Sequence, residues 1–270
     1  MVKNRNNDGF SLVEILMAMG ILAVGMIFIA GVFPVAIYFS TVATERTIAS
    51  VVAEEAFAKI RLYAINDPQP PYRMVNLSKL ATDQLKDFND VDIFPAVKYM
   101  DPNGVEFSYP SDPNISISQR QYYWTALCRL TEEVKDSNDP HRLVEVTVFV
   151  SRKMGSGGSY RDPEEPTSKV VSYPRPVKVG ISKVAGNEDE LKIEKVEEKI
   201  FINDSYEIVD DKTGQTYRVL ERYPVERDDA IILLDRKWEG GDSGTVWVVP
   251  PPVNGGRGPC VAIYQKVIRF

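Results

Sequence analysis

The stretch GFSLVEILMAMGILAVGMIFIAGVFPVAIYF, residues 9–39, limits the fold more than any other part of the chain. From Ile15 to Phe39 the only ionisable side chain is that of Tyr38. A helix over these residues is about 37 Å long at 1.5 Å per residue, more than the ~30 Å hydrocarbon core of a bilayer. The segment is therefore long enough to span a membrane. Yet it carries one carboxylate, Glu14, near its start. A charge at the bilayer centre costs about 2.5–3.5 kcal/mol, so this acid needs a reason to be there. Ahead of the apolar run, MVKNRNND sets Lys3, Arg5 and the terminal amine against Asp8. That excess of positive charge keeps the N-terminus cytoplasmic and sends everything after Phe39 across the membrane. A conventional secretory signal would have a shorter apolar core followed by a small-residue cleavage site.

The helical pattern does not stop at the end of the apolar run. In TVATERTIASVVAEEAFAKIRLYAI (41–65), Ile48, Val52, Ala56, Ile60 and Ala64 recur four apart on one stripe. Glu55 and Lys59 form an i,i+4 pair in the favourable order. Asn66-Asp67-Pro68 should close the helix, because the residue before a proline is pushed out of helical geometry. The spacing thus predicts one helix of about 55 residues, roughly 80 Å long. Its first half suits lipid and its second half a protein surface. Pro34 removes a backbone hydrogen bond and clashes with the carbonyl of Ala30, so a kink or local opening is expected there. Gly20, Gly25 and Gly31 are small positions at which another helix can approach closely.

Gly9-Phe10-Ser11-Leu12-Val13-Glu14, with a short basic leader before it and an apolar helix after it, resembles the class III signal of type IV prepilins and type II secretion pseudopilins. The tract ILMAMGILAVGM is similar to the minor-pilin and minor-pseudopilin branch. The resemblance covers residues 1–65; beyond them it extends only to general layout. Two features depart from the family pattern: Asp8 beside the cleavage point, and Pro34 beyond the place of the usual helix-breaking proline. The resemblance implies cleavage between Gly9 and Phe10 by a prepilin peptidase/methyltransferase, with N-methylation of Phe10. It further implies assembly with other pilin or pseudopilin subunits on an inner-membrane platform, in contact with membrane lipid. Glu14 then has its reason. On this resemblance it is expected to pair with the Phe10 amine of a neighbour displaced along the axis, because a buried pair is tolerable where a single buried charge is not. The alternative is a signal-anchored extracytoplasmic binding domain that never polymerises.

Beyond the helix the expected architecture is α+β. Residues 66–118 are rich in Pro, Asn, Asp and Ser, with a helical patch near Leu77 to Phe88. QYYWTALCRL (121–130) and RLVEVTVFVSRK (142–153) alternate as strands and flank the polar turn DSNDPH, which reads as an antiparallel hairpin. Its valine face should pack on the amphipathic half of the long helix, as in a pilin-like head. MGSGGSYRDPEEPTSK (154–169) reads as an exposed flexible loop. VKVGISKV, LKIEKVEEKIFI, TYRVLERY, AIILLD, TVWVVP and CVAIYQKVIRF are further β patterns. They form either a second small β domain or an insertion that extends the first sheet, with room for the last strand to return to that sheet. DDKTGQ (210–215) is a turn whose glycine supplies a left-handed residue. The expected organisation is a leader at 1–9, a long helix at 10–65 of which 10–39 is transmembrane, a pilin-like head at 66–155, a loop at 156–170 and a β-rich region at 171–270.

Composition narrows the function classes. With 32 Lys and Arg against 38 Asp and Glu there is no basic field, so nucleic acid is not a primary partner. Cys128 and Cys260 lack metal-ligand spacing and leave two readings open, one disulfide or two buried thiols. GGDSGT (240–245) resembles the nucleophile segment of chymotrypsin-like proteases, but such a site needs a histidine base. The one histidine, His141, lies in a turn in the other half of the chain, without that family's histidine motif. A glycine-rich turn between Trp238 and Trp247 accounts for the same residues, and no enzyme is expected. The acidic clusters DSND (136–139) and NDVD (89–92) lack the spaced ligand set of a calcium loop and read as solvated turns, so no metal or cofactor is expected. EKVEEK (194–199) reads as the wet face of a strand.

Overall fold

The computed structural model describes residues 11–63, 79–90, 92–94, 107–112, 114–116, 119–131, 143–153, 158–226 and 228–269. It divides into two compact units, Met1–Thr47 and Ile48–Phe270. One helix, α1 (Leu12–Tyr63), runs through both.

In the first unit α1 buries almost none of its apolar surface. Its large apolar side chains from Leu12 to Phe39 are 48% to 76% exposed. A stretch this apolar with no protein around it is long and greasy enough to cross a membrane. The helix continues through Pro34 without a break. Beyond the apolar run, the hydroxyls of Thr41, Thr44 and Thr47 turn back to donate to the carbonyls of Ile37, Ser40 and Ala43 at 2.8–3.0 Å. Each hydroxyl is thereby satisfied within its own helix, which removes the cost of an unpaired polar group next to lipid.

Among the described residues, the second unit holds the last turns of α1 and thirteen strands. First come β1 (Lys86–Asp87), β2 (Ser108–Tyr109), β3 (Tyr122–Leu130) and β4 (Leu143–Arg152). Next, β5 (Tyr160–Arg161) and β6 (Val170–Val171) form a two-stranded ribbon. Then β7 (Val177–Lys183), β8 (Glu190–Ile193), β9 (Glu207–Asp210), β10 (Thr216–Arg222), β11 (Ile231–Leu234) and β12 (Ser243–Val248) close into a barrel in the order β10-β11-β8-β7-β12-β9. Finally β13 (Cys260–Arg269) leaves the barrel and pairs antiparallel with β4, from Arg269↔Leu143 to Cys260↔Ser151. The main sheet therefore runs β1-β3-β4-β13, with β2 also on β3.

Strands β3 and β4 are buried on both faces, although β4 alternates Val144, Val146, Val148 and Val150 with Glu145, Thr147, Phe149 and Ser151. Trp124, Ala126 and Cys128 of β3 and Val144, Val146, Val148 and Val150 of β4 pack with Ala49, Val52, Ala53, Ala56, Phe57 and Ile60 of α1. On the opposite face Leu127 and Phe149 pack with Leu85 and with Val209, Trp247 and Val249 of the barrel. The order is helix, sheet, barrel, and the α+β expectation holds, with the valine face against the helix as anticipated. The barrel is filled by its own side chains, including Val179, Ile193, Phe201, Tyr217, Ile232, Trp238 and Val246.

Some expectations are overturned. Residues 80–90 contain no helix; Lys86–Asp87 is instead a short strand on β3. The free edge of β3 wins over local propensity. Phe88 N–H donates to the Ala126 carbonyl and Leu130 N–H to Ala81, while Leu80, Leu85 and Phe88 are buried. EKVEEK is no strand either, because Val196–Phe201 coils into a 3-10 turn. That turn buries Glu198, whose carboxylate accepts from Gly180 N–H and Lys195 Nζ, and leaves Val196 71% exposed. Strand β9 carries no alternation the eye would pick and was not anticipated. The polar stretch at 154–169 is described from residue 158, where Tyr160 is buried and Tyr160–Arg161 is tied to Val170–Val171. The turn at DSNDPH lies outside the described residues, as do residues 64–68, where the helix was expected to close.

Candidate assembly segment

At the head of α1, Ser11 and Glu14 form a reciprocal cap. The Ser11 hydroxyl accepts the Val13 N–H at 3.3 Å, and the Glu14 Oε2 accepts the Ser11 N–H at 3.0 Å. The first N–H groups of any helix have no partner inside it, and a serine followed three residues later by glutamate satisfies them. The positive end of the helix dipole favours the carboxylate further. Glu14 is thus folded back over the helix end. Among the described residues its other oxygen, Oε1, accepts from none. Ser11 was not anticipated as a functional residue, although S-x-x-E just before an apolar run is a readable signal. Gly9 and Phe10 lie outside the described residues.

Further along, the proline's missing N–H leaves the Ala30 carbonyl without its usual donor. Met26, Ile29, Ala30, Phe33, Pro34 and Ile37 line a groove of about 620 Å³ beside it. A Cβ added at Gly20, Gly25 or Gly31 would meet nothing within 4 Å, so all three glycines face open space.

The remaining sequence candidates settle into structural roles. Cys128 and Cys260 are both free thiols. Cys128 stands opposite Val146 on β4, whereas Cys260 stands opposite Ser151. That offset is about 17 Å along β4, far beyond the ~7 Å Cα separation a disulfide tolerates. Burial pushes the Cys128 thiol well above its ordinary range. Ser243 opens β12 in register with Ser182, the Trp238 indole donates to the Gly241 carbonyl, and Gly241 takes φ +100°. The GDSG segment is thus a turn into a strand. No histidine occurs among the described residues, His141 lying outside them. In the NDVD cluster, Asp90 accepts from Asp92 N–H and Asp92 pairs with Lys79, so those carboxylates close a turn. DSND lies outside the described residues, among which no cluster suited to a metal ion occurs.

One polar centre was missed in the sequence. The Asp210–Asp211 pair at the β9 turn is buried where barrel meets sheet. The Asp211 carboxylate accepts from the Trp247 indole at 2.7 Å, from Leu85 N–H, from Thr245 Oγ1 and from Lys178 Nζ. Nearby, Arg129 pairs with Glu145 and donates to the Lys212 and Thr82 carbonyls. Gly214 at φ +71° closes this turn as expected, with its carbonyl accepting from Gln265. In sequence these residues look like an ordinary acidic turn; only the fold brings Leu85, Lys178 and Trp247 to it.

Residues 4–30 match the family model of the prokaryotic N-terminal methylation motif. This is the class III signal of type IV pilins and pseudopilins, and it supports a type IV pilin-like reading of the segment that carries it. The motif and the apolar N-terminal helix together fit a membrane-anchored, single-pass protein, and a signal of this kind implies in general pilin-type partners and a prepilin peptidase. No curated protein and no solved structure matches the chain.

Proposed function

We propose that this chain is a minor pilin or minor pseudopilin, a non-enzymatic filament subunit of a type IV pilus or type II secretion pseudopilus. It waits in the inner membrane with its N-terminus cytoplasmic and its Ile48–Phe270 unit on the far side. Cleavage between Gly9 and Phe10 and methylation of the new amine prepare it to join a helical core. Glu14 then pairs with the Phe10 amine of an adjacent subunit and sets the axial register between the two. The observation that carries this reading is the methylation motif at residues 4–30, continuous with a helix whose apolar side chains are exposed from Leu12 to Phe39. A surface of that size needs lipid first and other apolar helices later.

Mass spectrometry of the mature N-terminus tests the processing. A methylated Phe10 as first residue is expected, and an intact Met1 in a host that processes its other pilins refutes it. Glu14→Ala separates a filament subunit from a plain anchored binding domain. The filament subunit loses incorporation into sheared fibres, while the anchor is unaffected.

A further inference from the structure

Among the described residues, β13 ends the main sheet, with β4 on one side and no strand on the other. The direction of its backbone groups follows from β4. There the Arg152 N–H reaches the Pro259 carbonyl and the Lys153 N–H the Gln121 carbonyl, so even residues of β4 bond toward β13 and odd ones toward β3. The register pairs Val150, Val148, Val146 and Val144 with Ala262, Tyr264, Lys266 and Ile268. The N–H and C=O groups of Ile263, Gln265 and Val267 therefore point away from the sheet, with no backbone partner among the described residues. Such an edge is a template for another strand, and proteins usually blunt it with a proline, an outward charge or a bulge. Residues 262–269 hold no proline, and the bulge lies before them, between Cys260 and Ala262. Lys266 gives no guard either, since its Nζ folds back to Glu54 of α1 at 3.1 Å and over the Phe57 ring. Val261, Ala262, Ile263 and Tyr264 are only partly buried, and Val267 is 51% exposed.

We propose that this edge is a self-association surface, on which β13 of one copy pairs antiparallel with β13 of a second copy and joins two main sheets into one. No other described strand of the chain can fill the place. β3 and β4 are interior, β7 to β12 close into a barrel, and β1, β2, β5 and β6 are two residues long. Only odd residues carry outward groups, so odd must meet odd. Over the bulge-free residues 262–269 the longest overlaps come from a two-fold axis at Gln265 or at Lys266. An axis at Lys266 sets that lysine against its own copy, which is unfavourable. An axis at Gln265 sets Ile263 against Val267 and Tyr264 against Lys266 of the second copy, and no like charges meet. The contact uses the Ile48–Phe270 unit alone and stands apart from what Glu14 does. Anchorage in one membrane holds copies at a high effective concentration, so a single strand pair is enough.

Cysteine variants of the full chain test this in the membranes of an expressing host, in a Cys260→Ser background with Cys128 left buried. Gln265→Cys sets two thiols across the axis on one face of the joined sheet, with Cα atoms about 5.5 Å apart and within disulfide reach. Mild oxidation, capping and a non-reducing gel should show a covalent dimer. Ile263→Cys and Val267→Cys should each stay monomeric alone, because each stands about 14 Å along the strand from its own copy, and should cross-link when co-expressed. Val267→Pro removes an outward N–H from each copy and leaves the β4 ladder intact, as an edge position allows. Two hydrogen bonds are then lost by symmetry, and the dissociation constant of the dimer in detergent micelles, read by light scattering, should rise roughly thirtyfold. A Gln265→Cys chain that stays monomeric overturns the proposal, even if it is found bound to a different protein. So does an Ile263→Cys chain that cross-links by itself as well as Gln265→Cys does, which would mean random collision. A Val267→Pro chain that folds and dimerises like the parent overturns it as well; should that variant fail to fold, the cysteine set alone decides.

Discussion

Replacing Asp211 with alanine tests whether barrel and sheet are fastened by this carboxylate. The substitution strips the acceptor from the Trp247 indole, which is 6% exposed and bonds at 2.7 Å. A buried donor left without a partner costs about 1–3 kcal/mol. Leu85 N–H keeps its second bond, to the Asp211 backbone carbonyl at 3.0 Å, and adds little. The Lys178 side chain is 37% exposed, so its lost ion pair contributes only about 0.5 kcal/mol. The Thr245 hydroxyl can rotate toward another acceptor or water. The expected loss is therefore about 1.5–3.5 kcal/mol, a large share of the 5–15 kcal/mol that holds a typical domain together. It is read as a fall in urea midpoint, followed by far-UV circular dichroism on the full chain in detergent micelles. Trp247→Phe in the same background is the sharper test. The double variant removes donor and acceptor together, so it should recover at least 1 kcal/mol relative to the sum of the two single changes. Additivity within about 0.5 kcal/mol would show that the indole and the carboxylate do not depend on each other, and the account of this junction would fail.

Other consequences follow from the same structure. Gly214→Ala places a Cβ 2.7 Å from Arg129 Nε on a backbone at φ +71°, so it should cost about 1–3 kcal/mol and lower the urea midpoint. An unchanged midpoint would contradict the close approach. Burial pushes up the thiols of Cys128 and Cys260 and the phenols of Tyr123, Tyr206 and Tyr217. The folded chain keeps these protons where the unfolded chain has lost them, so stability is unaffected below the unfolded values and falls as pH climbs through roughly 8.5–10 and beyond. Thermal melts from pH 7 to 11 should show that decline, and a melting temperature rising over this range would reverse the sign. The same burial should make Cys128 unreactive toward a maleimide until urea unfolds the head, and a non-reducing gel of the unfolded chain should show no internal bridge.

The parts of this fold that were legible in the sequence are those with a local period. The helix showed as an unbroken apolar run followed by a four-residue stripe, and β3 and β4 as two β-rich runs around a polar turn. Each depends on neighbours a few residues away. The failures have the opposite origin. EKVEEK alternates like a strand yet coils, because the Glu198 carboxylate finds the Gly180 N–H eighteen residues away. Over 80–88 the expected helical patch gives way because the edge of β3, about forty residues on, offers better backbone partners. Ser11 is different. Its signal, a serine three residues before a glutamate at the head of an apolar run, is local and complete in the sequence.

What the sequence by itself determined is a greasy helix, too long for a signal peptide and bearing a single acid at its head, in front of a largely β head. Local composition decides both, since lipid compatibility and strand propensity need no knowledge of the rest of the chain. Only the tertiary structure decided that the last strand leaves a closed six-stranded barrel to complete the first sheet, placing Cys260 on β13 out of reach of Cys128. It also decided that both faces of that sheet are buried and that an acidic turn becomes the barrel's anchor. Pairings across more than a hundred residues are chosen by which edges and faces remain uncovered once everything else has packed. No window along the chain contains that information.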